Sequence, residues 1–236
     1  MNLKSLIKRA LPLFGLSYRH VAVPVFRSNI YSQNGEDGVI EFLLKKMPTL
    51  PRYLIDIGAN DGVESSNSRW LIEKYGFDGL LIEPYPPAFE NLKNLYQNQV
   101  GMTLSNQAVG ATSHQGAINW HGHFQSLPTP IRQVNEVLEQ APQEIGFLSI
   151  DVDGQDNEVL QSIDWKRHRP WFVIAEIDSS APNHLQAQTD IMDQAGYQPF
   201  LHIGNVFYVR KDKAGELLFN WKTPFSGVFG VFKKTL

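Results

Sequence analysis

Asp56-Ile57-Gly58-Ala59-Asn60-Asp61-Gly62 follows directly on the apolar run Tyr53-Leu54-Ile55 and leads towards a helical pattern. Gly58 and Gly62 let a backbone turn sharply and approach a ligand closely. The dinucleotide-binding pattern needs a glycine where this chain has Asn60, so the bare-amide cradle for a pyrophosphate is not built here. The turn offers side-chain polarity instead, at Asp56, Asn60 and Asp61. Carboxylates suit a positively charged ligand that carries an amino acid, and S-adenosylmethionine has both a sulfonium and an ammonium group.

Working outward from this turn, strand and helix patterns alternate. Strands are expected over 53–57, 79–83, 102–109, 146–151 and 171–177. Between them stand helical patterns over 66–75, 86–97, 131–140 and 155–163, with a further helix over 184–195. Ser65 or Ser66 is the expected cap of the first of these, and Pro86 and Pro87 open the second. A helix over about 37–47 precedes the first strand, and two strands, 197–202 and 205–210, form a hairpin around Gly204-Asn205. Residues 110–130 read as a strand plus a long loop. Alternation of this kind predicts an α/β fold with a mostly parallel twisted sheet, helices on both faces and a C-terminal antiparallel hairpin. Ligands then bind at the carboxyl ends of the strands.

The chain has 236 residues, 42% hydrophobic and 19% charged, the composition of a globular domain. Its net charge of −3 gives no electrostatic footprint for nucleic acid, and no nucleic-acid partner is expected. The absence of cysteine excludes disulfides, thiolate metal sites and a cysteine nucleophile. Residues 1–30 read as an N-terminal extension, 31–218 as the principal domain and 219–236 as an aromatic-rich tail. In the extension, Leu3, Leu6, Ile7, Ala10 and Leu11 recur at helical spacing, with Lys4, Lys8 and Arg9 on the other side. Residues 2–11 therefore either pack on the domain or a second subunit, or lie on an anionic membrane surface. The expected location is cytoplasmic, with the inner membrane face as the peripheral alternative. The tail, with Phe219, Trp221, Phe225, Phe229 and Phe232, is expected to pack on the domain or to build a homodimer surface.

The second strand closes on Glu83-Pro84. An acid at that place accepts both hydroxyls of a ribose, the logic of nucleotide-binding folds. Asp56 and Glu83 thus fall at neighbouring strand ends, where one ligand would reach both. Taken in order, SQNGEDGVI (32–40), DIGANDG (56–62), LLIEP (80–84), NQAVG (106–110), FLSIDVDGQDNEVL (147–160) and FVIAEID (172–178) resemble the FkbM-type methyltransferase family over residues 31–211. The resemblance implies a Rossmann-like class I methyltransferase fold and S-adenosylmethionine as cofactor. It further implies O-methylation of a hydroxyl, often on a sugar of a glycan or a glycosylated natural product. Carried onto this chain, it places Asp56, Gly58, Asn60 and Gly62 in the methionine-side loop and Glu83 at the ribose. Pro84 and Tyr85 follow near the adenosine, Gln107 and Ala108 flank the adenine, and Gln33 and Glu36 reach in from the preceding loop. The family pattern Asp-Val-Glu-Gly stands here as Asp151-Val152-Asp153-Gly154, with a shorter acid third. Where relatives carry lysine before the first aspartate, this chain has Ser149-Ile150.

Methyl transfer to a hydroxyl needs an aligned nucleophile, a dry site and a group that takes or polarises the hydroxyl proton. Asp151, Asp153 and Glu176 are the candidate catalytic carboxylates. Crowded acids favour either shared protons or a cation, so Asp151, Glu176 and Asp178 form a candidate set for Mg²⁺ or another divalent cation. The competing role for Asp151 and Asp153 is capping of the helix that starts near Gly154. His121 and His123, beside Trp120 and Phe124, are a rival base or plain loop residues. Two other functions remain in competition: a non-catalytic adenosyl-cofactor-binding module in a glycan assembly, and a nucleotide-dependent oxidoreductase.

Overall fold

The computed structural model describes residues 30–119, 126–152, 154–178 and 180–217. At its centre is β1, Tyr53–Ile57. Its side chains alternate: Leu54 enters the apolar cluster on one face, and Ile55 and Ile57 the cluster on the other. Parallel partners flank it, β2 (Asp78–Ile82) on one side and β7 (Phe147–Ile150) on the other. Beyond them lie β3 (Met102–Ser105) and β8 (Phe172–Ala175), also parallel. Two further strands, β9 (Tyr197–His202) and β10 (Val206–Arg210), complete the order β3-β2-β1-β7-β8-β10-β9. Among the described strands of this sheet only β10 is reversed, antiparallel to both neighbours. A turn too short for a crossover leaves it no other direction.

Four helices cover one face: α1 (Glu36–Lys46), α2 (Arg69–Tyr75), α3 (Pro86–Tyr96) and α7 (Lys211–Leu217). They contribute Ile40, Leu71, Leu92 and Ala214 to a cluster with Leu81 and Phe147. On the opposite face α4 (Val134–Leu138), α5 (Asp156–Ser162) and α6 (His184–Gln194) supply Val134, Val159 and Met192. Strand order reverses between β1 and β7, and the ends of these two strands open the crevice in which such sheets bind ligands. Among the described residues, no helix is long and apolar enough to cross a membrane.

The expected elements appear in the expected order, with two informative departures. The strand expected over 102–109 breaks after Ser105, and β4 (Ala108–Gly110) joins a second, three-stranded sheet. Asn106 causes the break by turning its side-chain amide onto the carbonyls of Glu83 (2.8 Å) and Pro84 (3.1 Å). The strand plus long loop expected over 110–130 is an antiparallel pair, β5 (His114–Asn119) and β6 (Ser126–Gln133), which gives the second sheet the order β4-β6-β5. Pairing of Ile131, Arg132 and Gln133 with β4 also delays the helix expected from 131 until Val134. Gln133 caps it, its side-chain oxygen accepting from Asn135 N at 2.8 Å and Glu136 N at 3.3 Å. In α2 the helix starts at Arg69, and Ser66 still serves its first turn by accepting from Arg69 N at 3.1 Å.

Candidate active site

The carboxyl ends of the parallel strands are tied into one rim. Gly58 N and Ala59 N donate to Ile82 O (2.9 and 3.0 Å), and Glu83 N donates to Ser105 O (3.1 Å). Asp151 N donates to Ile57 O (2.9 Å) and Glu176 N to Ile150 O (3.2 Å). The glycine turn, Glu83, the residues after β3, Asp151 and Glu176 therefore share one edge. Gly58 has φ +88°, and a Cβ there would overlap the carbonyl oxygen of Asp151. Only glycine lets the turn press against the end of β7.

Glu83 is buried at this rim, and both of its oxygens are used. One accepts from Asn60 N at 2.8 Å and the other from Tyr85 N at 2.7 Å. Asn60 adopts the left-handed region (φ 50°), which aims its amide back at the carboxylate. A carboxylate oxygen can accept more than one hydrogen bond, so ligand hydroxyls can join the backbone amides there. Asn106 holds the carbonyls of Glu83 and Pro84 from the far side. Gln107, half-buried, and Ala108, buried, follow it directly.

Asp56 plays a quieter part than the composition of the turn suggests. Its side chain is buried beneath the turn. Burial pushes the carboxyl above its ordinary range, and the hydroxyls of Ser68 and Ser149 act against that by hydrogen bonding. Ser149 is therefore a partner of Asp56. Asp61 accepts from Val63 N and Glu64 N (2.8 and 2.9 Å), shaping the bend that leads away from the site.

A profile of the methyltransferase FkbM domain matches residues 56–199, more than half of the chain. The chain belongs to the FkbM methyltransferase family. Among solved structures it is similar to a methyltransferase FkbM from Methylobacillus flagellatus KT, with 16% identity and a TM-score of 0.51. That match covers 87% of this chain and 60% of the other, so the chain spans about three fifths of that relative's length. A precorrin-6y C5,15-methyltransferase from Geobacter metallireducens GS-15 is also similar, at 13% identity and a TM-score of 0.43, over 77% of this chain and 90% of that one. No curated protein matches the chain. At such identities the FkbM structure speaks for the fold, a Rossmann-like class I methyltransferase sheet.

In this FkbM domain the acidic side of the site is arranged differently from expectation. The divalent-cation set expected at Asp151, Glu176 and Asp178 does not form. Among the described residues, no three His, Asp or Glu side chains gather to hold a metal ion. β8 ends at Ala175, so Glu176 and Asp178 lie past the regular alternation that would have aimed them together. Asp178 turns to Ser180, accepting from its N (2.8 Å) and Oγ (2.5 Å). The Ser180 hydroxyl, with the amide behind it, holds the Asp178 carboxyl below its usual range. At the N-cap of α5 the side chain of Gln155 makes no capping hydrogen bond.

Asp156 takes over that loop. It is fully buried, and its two oxygens accept from Val152 N and Gly154 N, both at 3.2 Å. Burial, reinforced by the negative charge of Glu176, pushes its carboxyl up to about 7. The segment that carries Asp151 is thus folded around a carboxylate that motif reasoning passed over. The available signal was a third acid within Asp151-Val152-Asp153-Gly154-Gln155-Asp156. Asp153 itself lies outside the described residues, as do His121, His123, Trp120, Phe124, the extension up to residue 29 and the tail from 218.

Gln33 and Glu36 precede the body of α1. Gln33 is exposed. The Glu36 carboxylate is fully buried and accepts from Asn34 N (2.7 Å), Asn34 Nδ2 and Asn205 Nδ2 (both 3.3 Å). Its bond to Asn34 N shapes the turn ahead of α1, whose cap is Gly35.

Proposed function

We propose that the chain transfers the methyl group of S-adenosylmethionine to a hydroxyl oxygen, on a sugar of a glycan or a glycosylated natural product. The observation that carries the proposal is Glu83. A buried carboxylate, oriented by two backbone amides at the end of β2 beside a glycine turn, is a ready acceptor for two ribose hydroxyls. Asn60, Gly58 and Gly62 line the turn on the methionine side, and Pro84, Gln107 and Ala108 lie on the adenosine side. When bound there, S-adenosylmethionine supplies an electrophilic methyl group on a sulfonium.

The chain's own part is binding, alignment and proton removal. Asp151, at the end of β7 and beside Gly58, stands next to the turn. It takes the proton of the acceptor hydroxyl as the new O–C bond forms and the S–C bond breaks. Glu176, at the neighbouring strand end, keeps the mouth acidic and orients polar groups of the acceptor. A small-molecule or glycan acceptor, rather than a nucleic acid, suits a chain of net charge −3.

Isothermal titration with S-adenosylmethionine and S-adenosylhomocysteine, then transfer of labelled methyl to a panel of free and lipid-linked saccharides, tests the proposal. Saturable binding with label on a saccharide oxygen is the expected result. Binding without transfer to any hydroxyl would favour a cofactor-binding module. Absence of binding to either ligand would overturn the proposal.

A further inference from the structure

Ahead of α1, residues 30–35 form a strap that is fastened at several separate points. Asp37 Oδ2 accepts from the amides of Ile30 (2.7 Å), Tyr31 (2.8 Å) and Ser32 (3.1 Å). Ser32 Oγ returns a bond by accepting from Asp37 N at 3.1 Å. The carbonyl of Tyr31 accepts from Ser66 N at 3.1 Å, at the far end of the loop that begins with Gly58. The Tyr31 hydroxyl donates to Glu73 Oε2 (2.7 Å), and the Arg69 guanidinium lies 4.3 Å from the centre of its ring. These bonds tie the strap to α1, to α2 and to the end of the glycine loop ahead of α2.

The remaining fastening comes from much further along the chain. Glu36 Oε1 accepts from Asn205 Nδ2 in the turn between β9 and β10, 169 residues away. In the same turn Gly204 has φ +111°, and a Cβ there would overlap the Asn34 side-chain amide. Strand β9 is antiparallel to β10, which is antiparallel to β8, so β9 points the same way as β8. The turn therefore stands at the carboxyl edge of the sheet, with the glycine loop and Glu83. The strap runs along that edge from the glycine loop's outlet at Ser66 to this turn.

We infer that the β9–β10 turn positions the strap for the methyl donor, with Asn205 and Glu36 as positioning residues for S-adenosylmethionine binding. The inference rests on the proposed function. It assigns the turn a role in cofactor affinity through residues that need not touch the cofactor.

A swap of donor and acceptor tests it, read by calorimetric titration with S-adenosylhomocysteine and by thermal denaturation. Asn205→Asp sets a second carboxylate against Glu36 Oε1 and removes the donor. Affinity for S-adenosylhomocysteine should fall about tenfold, an ordinary size for coupled contacts, and the melting temperature should fall with it, because two carboxylates then meet at a buried site. Adding Glu36→Gln reverses the polarity of the pair. The new amide at position 36 then donates to the new carboxylate at position 205. Its oxygen still accepts from Asn34 N, and a flipped Asn34 amide accepts from its NH₂. Affinity should return to within about threefold of the original. Asn205→Ala, which adds no charge, should give a smaller loss in the same direction. Unchanged affinity in Asn205→Asp and Asn205→Ala would overturn the inference, as would a loss that the double substitution does not restore. Failure of the unmodified chain to bind S-adenosylhomocysteine would overturn the proposed function and this inference with it. Normal binding by that chain and by all variants would overturn this inference alone.

Discussion

Glu83→Gln isolates the group on which the functional proposal turns. The substitution keeps the size of the side chain and replaces one acceptor oxygen with an amide donor. Both oxygens of Glu83 already receive a backbone N–H, from Asn60 at 2.8 Å and Tyr85 at 2.7 Å. Whichever way the new amide lies, its NH₂ confronts one of those donors. One charge-assisted bond is lost and the other becomes neutral. With such bonds contributing about 1.5–3 kcal/mol each, the ligand-free protein should lose about 2 kcal/mol. For a domain of this size that lowers Tm by roughly 4–8 °C. Binding should suffer separately, because the amide offers one acceptor where two ribose hydroxyls require two. A further loss of about 2 kcal/mol there corresponds to roughly 30-fold in Kd for S-adenosylhomocysteine. Differential scanning calorimetry without ligand and isothermal titration with it read the two effects independently. An unchanged Tm would refute the claim that Glu83 holds the turn. A lowered Tm with unchanged affinity would refute its assignment to the ribose.

Gly58→Ala places a side chain at φ +88° and against the Asp151 carbonyl; urea denaturation should show a loss of about 3 kcal/mol or more, and a stability equal to the parent would contradict the close approach of turn and strand. Asp151→Asn should reduce methyl transfer by at least about 100-fold while sparing S-adenosylhomocysteine affinity, and an active variant would remove Asp151 as the base. Asp156→Asn bears on pH. The folded carboxyl sits at about 7 against an ordinary 3.8, so the folded chain holds this proton more tightly than the unfolded one. Its contribution to stability therefore declines as pH rises from about 4 to about 7 and is level above that. The variant should lack this decline, whatever constant offset its amide introduces by facing the N–H of Val152 or Gly154; parallel stability curves from pH 5 to pH 8 would show that Asp156 is not raised.

The parallel sheet was legible because its signals are local. Leu54, Ile55 and Ile57 and their counterparts in β2, β7 and β8 form short apolar runs, buried on both faces. Gly204-Asn205 marks the hairpin, and helices of ordinary length fill the gaps between strands. Residues 102–133 resisted the same treatment. The chain leaves the main sheet at Asn106 through a side-chain bond to the carbonyls of residues 22 and 23 positions earlier. β6 then contains Pro128 and Pro130, which strand propensity disfavours and which only the tertiary pairing with β5 accommodates.

Within the site, the legible residues were those whose role follows from their place on a strand, and the illegible ones were those whose role follows from a partner. Glu83 ends a strand, and its position alone points it at a ligand. Asp178 also stands just past a strand, yet its carboxylate is claimed by Ser180, two residues on. Glu36 is shared between Asn34, two residues before it, and Asn205, which no window of sequence could bring beside it. Buried acids of this kind must find donors, because an unpaired carboxylate in the interior is costly. The search for donors is settled by the whole fold, so a motif can display four acids at the mouth and leave only some of them available to a ligand. The acids divide by where the fold sets them: Glu36 and Asp156 are fully buried in the segments ahead of α1 and α5, whereas Glu83, though it too accepts from two amides, stands at the strand-end rim beside the glycine turn.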